Sequence, residues 1–183
     1  MLTYLPQFAE WTLSYKLFRG AATTCANLLF ARQSLFVVFV LLLIVYIVRK
    51  NKKYTWCAVL LAVLLLGAYT LEFGWFIHYP LYAGGMPDLQ DIAVYPYGIL
   101  ASTALLLLLL CAVYAVYVAD RQLGIVLFVL NILGFGSRIM MGLSPTLYIS
   151  SYRTFTAQLF CFILCNVVLI NALISNRKTE APK

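Results

Sequence analysis

The sequence predicts an all-α, polytopic membrane protein: about five spanning helices, preceded by an amphipathic helix on the membrane surface. Composition is the first reason. Of 183 residues, 64% are apolar and 10% charged, with a mean hydropathy of +0.94. Soluble domains run about 45–50% apolar and about 25% charged, so a soluble fold of this size cannot hide the apolar surface. The second reason is the shape of the apolar runs. Leu35–Val45 and Leu105–Leu110 are apolar at every position, whereas barrel strands alternate, and helices and closed barrels are the only spanning structures. The third is charge placement, because the basic residues that give a formal net charge of +7 cluster at the ends of the apolar runs rather than forming a nucleic-acid-binding face.

Residues 1–26 carry no basic n-region and no cleavage signature, so they do not read as a signal peptide. Leu5, Phe8, Trp11, Tyr15, Phe18 and Ala22 recur at helical intervals, the pattern of a helix lying in the interface. The spanning bundle is expected over residues 27–176, followed by a basic tail, 177–183. Its first span runs from Asn27 to Val48, the second from Thr55 to Ile77, and the third from Pro96 to Val118. The fourth covers Leu123 to Met141, diluted by Asn131, Gly134, Gly136 and Arg138, and the fifth Phe155 to Ile174.

Orientation follows the excess of lysine and arginine in cytoplasmic loops. Arg49, Lys50, Lys52, Lys53, Arg121, Arg177, Lys178 and Lys183 fall on one side, and Lys16, Arg19, Arg32 and Arg153 on the other. The N-terminus is therefore expected outside and the C-terminus in the cytoplasm, in a multi-pass arrangement in the cytoplasmic membrane. An outer surface helix with no span before it implies a missing upstream segment.

A charged side chain at the bilayer centre costs about 2.5–3.5 kcal/mol on insertion scales, which makes Arg138 the first candidate for function. Glu72 lies 17 residues after Thr55, and Arg138 16 after Gln122, on spans that run the same way. Both reach a similar depth, about 25 Å from the inner surface, and are placed to pair. The plainer alternatives are a structural ion pair or an arginine snorkelling to the headgroups. Arg153 opens the fifth span, where the helix dipole disfavours a cation until an anion binds there with the unpaired N–H groups. Contact with lipid phosphate explains it equally. Ser150, Ser151 and Thr154 can cap that helix or donate to the same anion. Tyr148 and Tyr152 read first as interfacial belt aromatics.

His78, Asp88 and Asp91 supply further polarity in an outer loop without lysine or arginine. His78 reads as an interfacial residue, and the two carboxylates as ordinary loop acids before they read as a base or a divalent-cation site. The chain has five cysteines, none in a CxxC pair, and one histidine, so they read as small packing residues and no metal set is expected. There is no phosphate-binding loop and no glycine fingerprint opening a helix, and no cofactor is expected.

The segment Ser137 to Phe155, S-R-x-M-x-G-x-S-P-T-x-Y-x-S-x-x-R-T-F, resembles a motif in the last third of bacterial polytopic glycosyltransferases of the GT-C superfamily, the O-antigen glucosyltransferase type and related uncharacterised families included. The likeness is concentrated in that segment. It implies sugar transfer from a polyprenyl-phosphate donor at the outer face of the cytoplasmic membrane, in the making of cell-surface polysaccharide. Arg138 and Arg153 fall on the motif and would hold the donor phosphate. Glu72 would orient Arg138, and Ser144, Thr146 and Tyr148 would shape the pocket. The superfamily's acidic catalytic residue lies in a first outer loop that has no counterpart here. The chain accordingly resembles the C-terminal portion of such an enzyme, incomplete without an upstream half. The alternative is a non-enzymatic membrane protein: an accessory subunit, a lipid-binding scaffold or a flippase-like helper.

Overall fold

The computed structural model describes residues 10–30, 34–71, 96–141, 143 and 155–180. These form α-helices, joined at one place by a short 3₁₀ turn, and no strand occurs among them. The helices are α1 (Leu13–Phe30), α2 (Ser34–Lys50), α3 (Thr55–Leu71), α4 (Pro96–Ala119), α5 (Arg121–Met141) and α6 (Thr156–Glu180), with the 3₁₀ turn over Lys52–Tyr54.

Each helix after the first follows a 3.6-residue pattern in burial, yet both of its faces are apolar. On α2 the inward stripe is Phe36, Phe39, Leu43 and Ile47, and the outward stripe Val38, Leu41, Val45 and Val48. On α6, Phe162, Cys165 and Leu169 are buried while Phe160, Val167, Ile170 and Ile174 are exposed. Water would select polar residues for those outward stripes. Two helices are long and apolar enough to cross a membrane, over Arg121–Met140 of α5 and Thr156–Ser175 of α6, and a shorter apolar stretch covers Thr103–Ala119 of α4.

The helix starts fall close to the expected limits of the third, fourth and fifth spans, and α4 and α5 also end near them, but α6 continues to Glu180, past the expected end at Ile174 and into the expected tail. The N-terminal third is divided differently. α1 continues through the expected boundary at residue 26 to Phe30, and α2 begins at Ser34 rather than near Asn27. Thr12 opens α1, its hydroxyl accepting from the Tyr15 N–H at 3.3 Å, a side-chain cap. Thr24, Cys25 and Leu28 of α1 are buried, and the helix packs against α3, α4 and α5. Tertiary contact, which hydropathy does not register, sets this division.

Among the described residues two connections, α2 to α3 and α4 to α5, are short and pinned. Asn51 follows α2 and donates its amide to the Ala115 carbonyl of α4 at 3.0 Å, tying the α2–α3 turn to a third helix. Asp120 is the one residue between α4 and α5, and its Oδ1 accepts from the Leu123 N–H at 3.0 Å, capping α5. The hairpin this makes is tight: a Cβ on Gly124 would lie 2.3 Å from Tyr117 Cα. At the centre, Phe162 of α6 meets Phe36 at 5.4 Å, Phe39 at 5.5 Å and Phe135 at 6.2 Å between ring centroids. One aromatic ring thus joins α2, α5 and α6, within the distance range of favourable aromatic pairs.

Two glycines separate close approach from mere small size. A Cβ on Gly124 strikes backbone, whereas one on Gly134 meets Cys161 Cβ at 3.2 Å and softer atoms at 3.6 Å. Alanine gains up to about 1 kcal/mol of helix propensity over glycine, and overpacking costs about 1–3 kcal/mol. Gly124→Ala should therefore lower the thermal midpoint in detergent, and Gly134→Ala should leave it nearly unchanged.

Candidate functional site

Arg138 sits in the last turn of α5 and is 1% exposed, among the largest fully buried side chains of the described residues. Its guanidinium carbon lies 4.0 Å from the centroid of the Phe155 ring, which is itself 1% exposed at the start of α6. A cation over an aromatic face is attracted by the ring quadrupole, worth about 2 kcal/mol or more when desolvated. A guanidinium carries its N–H donors in a planar fork that suits a carboxylate or a phosphate met two bonds at a time.

The pairing depends on an antiparallel seam between α5 and α6. From one end, Arg138 meets Phe155, Gly134 faces Cys161 and Gln158, and Asn131 donates to the Cys165 sulfur at 3.9 Å. Gly134 and Cys161 keep the helices close enough for Arg138 to reach Phe155 across the seam. Polar side chains gather along it. Asn131 also donates to the Leu127 carbonyl at 2.8 Å, and Ser137 to the Gly134 carbonyl at 2.8 Å, each bonding back to its own helix. Asn166 donates to the Leu35 carbonyl at 3.1 Å, linking α6 to the first turn of α2. Gln158 is 0% exposed, and neither of its amide atoms makes a hydrogen bond among the described residues. A buried amide so placed costs free energy unless a partner meets it.

Of the residues singled out in the sequence, Arg138 falls within this seam. Arg153, Glu72, Ser144, Thr146, Tyr148, His78, Asp88 and Asp91 lie outside the described residues, as do Ser150, Ser151, Tyr152 and Thr154. The expected pairing of Glu72 with Arg138 is therefore not part of the described geometry. The five cysteines are free thiols, three of them buried, and Cys57 lies 3.5 Å from the Leu108 carbonyl oxygen. No cluster of three or more metal-ligating side chains occurs among the described residues.

Sequence reasoning missed Phe155, Gln158 and Asn166. The signal was available in part, because Asn131, Gly134 and Arg138 recur at helical intervals, as do Gln158, Cys161, Cys165 and Asn166. Two polar stripes on otherwise apolar helices are expected to face each other. Compared with known proteins, the chain matches no family model, and no curated protein or solved structure matches it significantly.

The contact between Arg138 and Phe155 predicts a measurable coupling. In a double-mutant cycle of Phe155→Leu and Arg138→Gln, followed by unfolding in detergent, the two losses should fall short of additivity by about 1–2 kcal/mol. Strict additivity would show that the ring and the guanidinium do not interact.

Proposed function

We propose that this chain is a polytopic helical membrane protein whose α5–α6 end binds the phosphate of a lipid-linked sugar, as the donor-binding C-terminal portion of a polyprenyl-phosphate-dependent glycosyltransferase. The membrane part rests on the outward stripes. Leu41, Val59, Val63, Leu107, Ile132, Leu133 and Val167 each expose more than half their surface, and a continuous apolar exterior of that kind is stable in lipid rather than in water. With α2, α3 and α4 counted beside α5 and α6, five spans result, the N-terminus outside and the C-terminus inside.

One observation carries the binding function: the burial of Arg138 at the loop end of α5. A buried cation on an apolar helix is retained for a partner, and the motif resemblance runs from Ser137 to Phe155, the two contact residues or their immediate neighbours. Arg153, two residues before Phe155, supplies a second cation near the same end. Glu72 orients Arg138, and Ser144, Thr146 and Tyr148 shape the pocket wall.

A second reading is a binding protein without catalysis, such as an accessory subunit or a flippase-like helper. In that reading Glu72 serves only to orient Arg138, and phosphate binding without a carboxylate free to act as a base gives affinity but no general base. An upstream partner contributing an acidic outer loop separates the two readings.

The experiment compares a polyprenyl phosphate with the uncharged polyprenol for binding to the purified chain in detergent. Wild-type protein should prefer the phosphate by about tenfold or more, the scale of one charge-assisted hydrogen bond. Lysine at position 138 or 153 should lose part of that preference and alanine most of it, because lysine offers a point charge in place of a planar fork. Equal binding of phosphate and alcohol would reduce both arginines to structural or interfacial anchors.

A further inference from the structure

At the opposite end of the bundle, α4 and α5 enclose an apolar groove of about 250 Å³. Leu110, Tyr114 and Tyr117 form one wall, and Gly124, Ile125 and Phe128 the other. Gly124 lets the two helices approach closely beside the groove, since a Cβ there would lie 2.3 Å from Tyr117 Cα. Basic residues gather at this end of the bundle. Arg121 is exposed one turn before Gly124 and Ile125 on the same face of α5. Lys52 and Lys53 are exposed in the 3₁₀ turn, which is held beside α4 by the Asn51–Ala115 hydrogen bond and by Tyr54 against Tyr114 at 6.1 Å. Arg49 and Lys50 lie next to that turn. The acidic group described at this end is Asp120, whose carboxylate accepts the capping bond of α5.

From this arrangement we infer that the α4–α5 groove is a binding site for an anionic phospholipid, with one acyl chain in the groove and the phosphate among Lys52, Lys53 and Arg121. Charge complementarity chooses the occupant. The groove takes hydrocarbon of any lipid, but a zwitterionic headgroup brings a cation into a ring of cations, whereas an anionic one neutralises it. Basic pockets between helices at the cytoplasmic side recognise anionic headgroups by this physics. The tyrosines at the wall add amphipathic rings of the kind enriched at the membrane interface. This site lies at the far end of α5 from Arg138 and does not depend on sugar-donor binding. It does rest on the helices spanning a membrane, a premise that fails visibly if alkaline carbonate releases the protein without detergent.

The test is native mass spectrometry of the full chain in detergent, offered equal amounts of phosphatidylglycerol and phosphatidylcholine with identical acyl chains. Each basic side chain near an anionic headgroup contributes about fivefold, so wild-type protein should retain phosphatidylglycerol over phosphatidylcholine by at least that factor. The triple variant Lys52→Gln, Lys53→Gln, Arg121→Gln should retain the two lipids nearly equally. The pair Arg177→Gln, Lys178→Gln, two basic residues of α6 that do not line the groove, should keep most of the wild-type preference. Leu110→Trp, at an exposed wall position, should lower retention of both lipids without changing their ratio. Equal retention by the wild-type chain, an equal loss in the Arg177/Lys178 pair, or unaltered retention in Leu110→Trp would each overturn the site.

Discussion

The guanidinium of Arg138, stacked on Phe155 inside a pair of helices with hydrocarbon exteriors, constrains how the rest of the bundle is put together. A charge in that position has to be screened from its apolar surroundings, and the screen is α6, brought close by Gly134 against Cys161. In a membrane the hydrophobic effect does not drive helices together, because lipid tails are as apolar as leucine. Close packing and polar contacts take over. The α5–α6 seam has both: small residues where the helices approach, and Asn131, Ser137 and Gln158 where polar groups are set between the helices.

The Phe162 cluster extends that constraint to α2, whose Phe36 and Phe39 meet the same ring that Phe135 touches. Phe135 is one turn from Arg138 on α5, so the site and the aromatic junction share a helix face. Side chains carried on packed helices are held more precisely than those on loops. Phe155 holds the Arg138 guanidinium in this way. Nearer the other end, the one-residue α4–α5 connection and the Asn51 bond to Ala115 fix the basic cluster as firmly. The hairpin thus has a buried cation near one end and exposed cations at the other.

Much of the helical framework was legible in the sequence because apolar run length and bracketing charge are strong signals. Arg121 at the start of α5 and Arg49 and Lys50 at the end of α2 mark helix limits that a hydropathy window alone would blur. The division between α1 and α2 was misplaced. Arg32, Gln33 and Ser34 interrupt the apolar run between Ala31 and Leu35, but a span drawn from Asn27 to Val48 passes through them, with no glycine or proline to mark the break. What distinguishes α1 is burial of Thr24, Cys25 and Leu28 against other helices, a tertiary fact. Arg138 stood out as a charge in hydrocarbon. Its partner did not, because Phe155 is one phenylalanine among 12, and the choice among them depends on the register of two helices.

That register is the central claim, and a cross-link tests it most directly. A Cβ at position 134 would lie 3.2 Å from the Cys161 Cβ, slightly inside the usual disulfide range of about 3.5–4.5 Å and within a small relaxation of it. Gly134→Cys, in a chain whose other cysteines except Cys161 are replaced by serine or alanine, should oxidise readily to an internal disulfide. Protection of both thiols from alkylation would report it. Restoring Cys165 and removing Cys161 should abolish the bond. Efficient bonding to Cys165 instead, or none to Cys161, would place α5 and α6 in another register and separate Arg138 from Phe155.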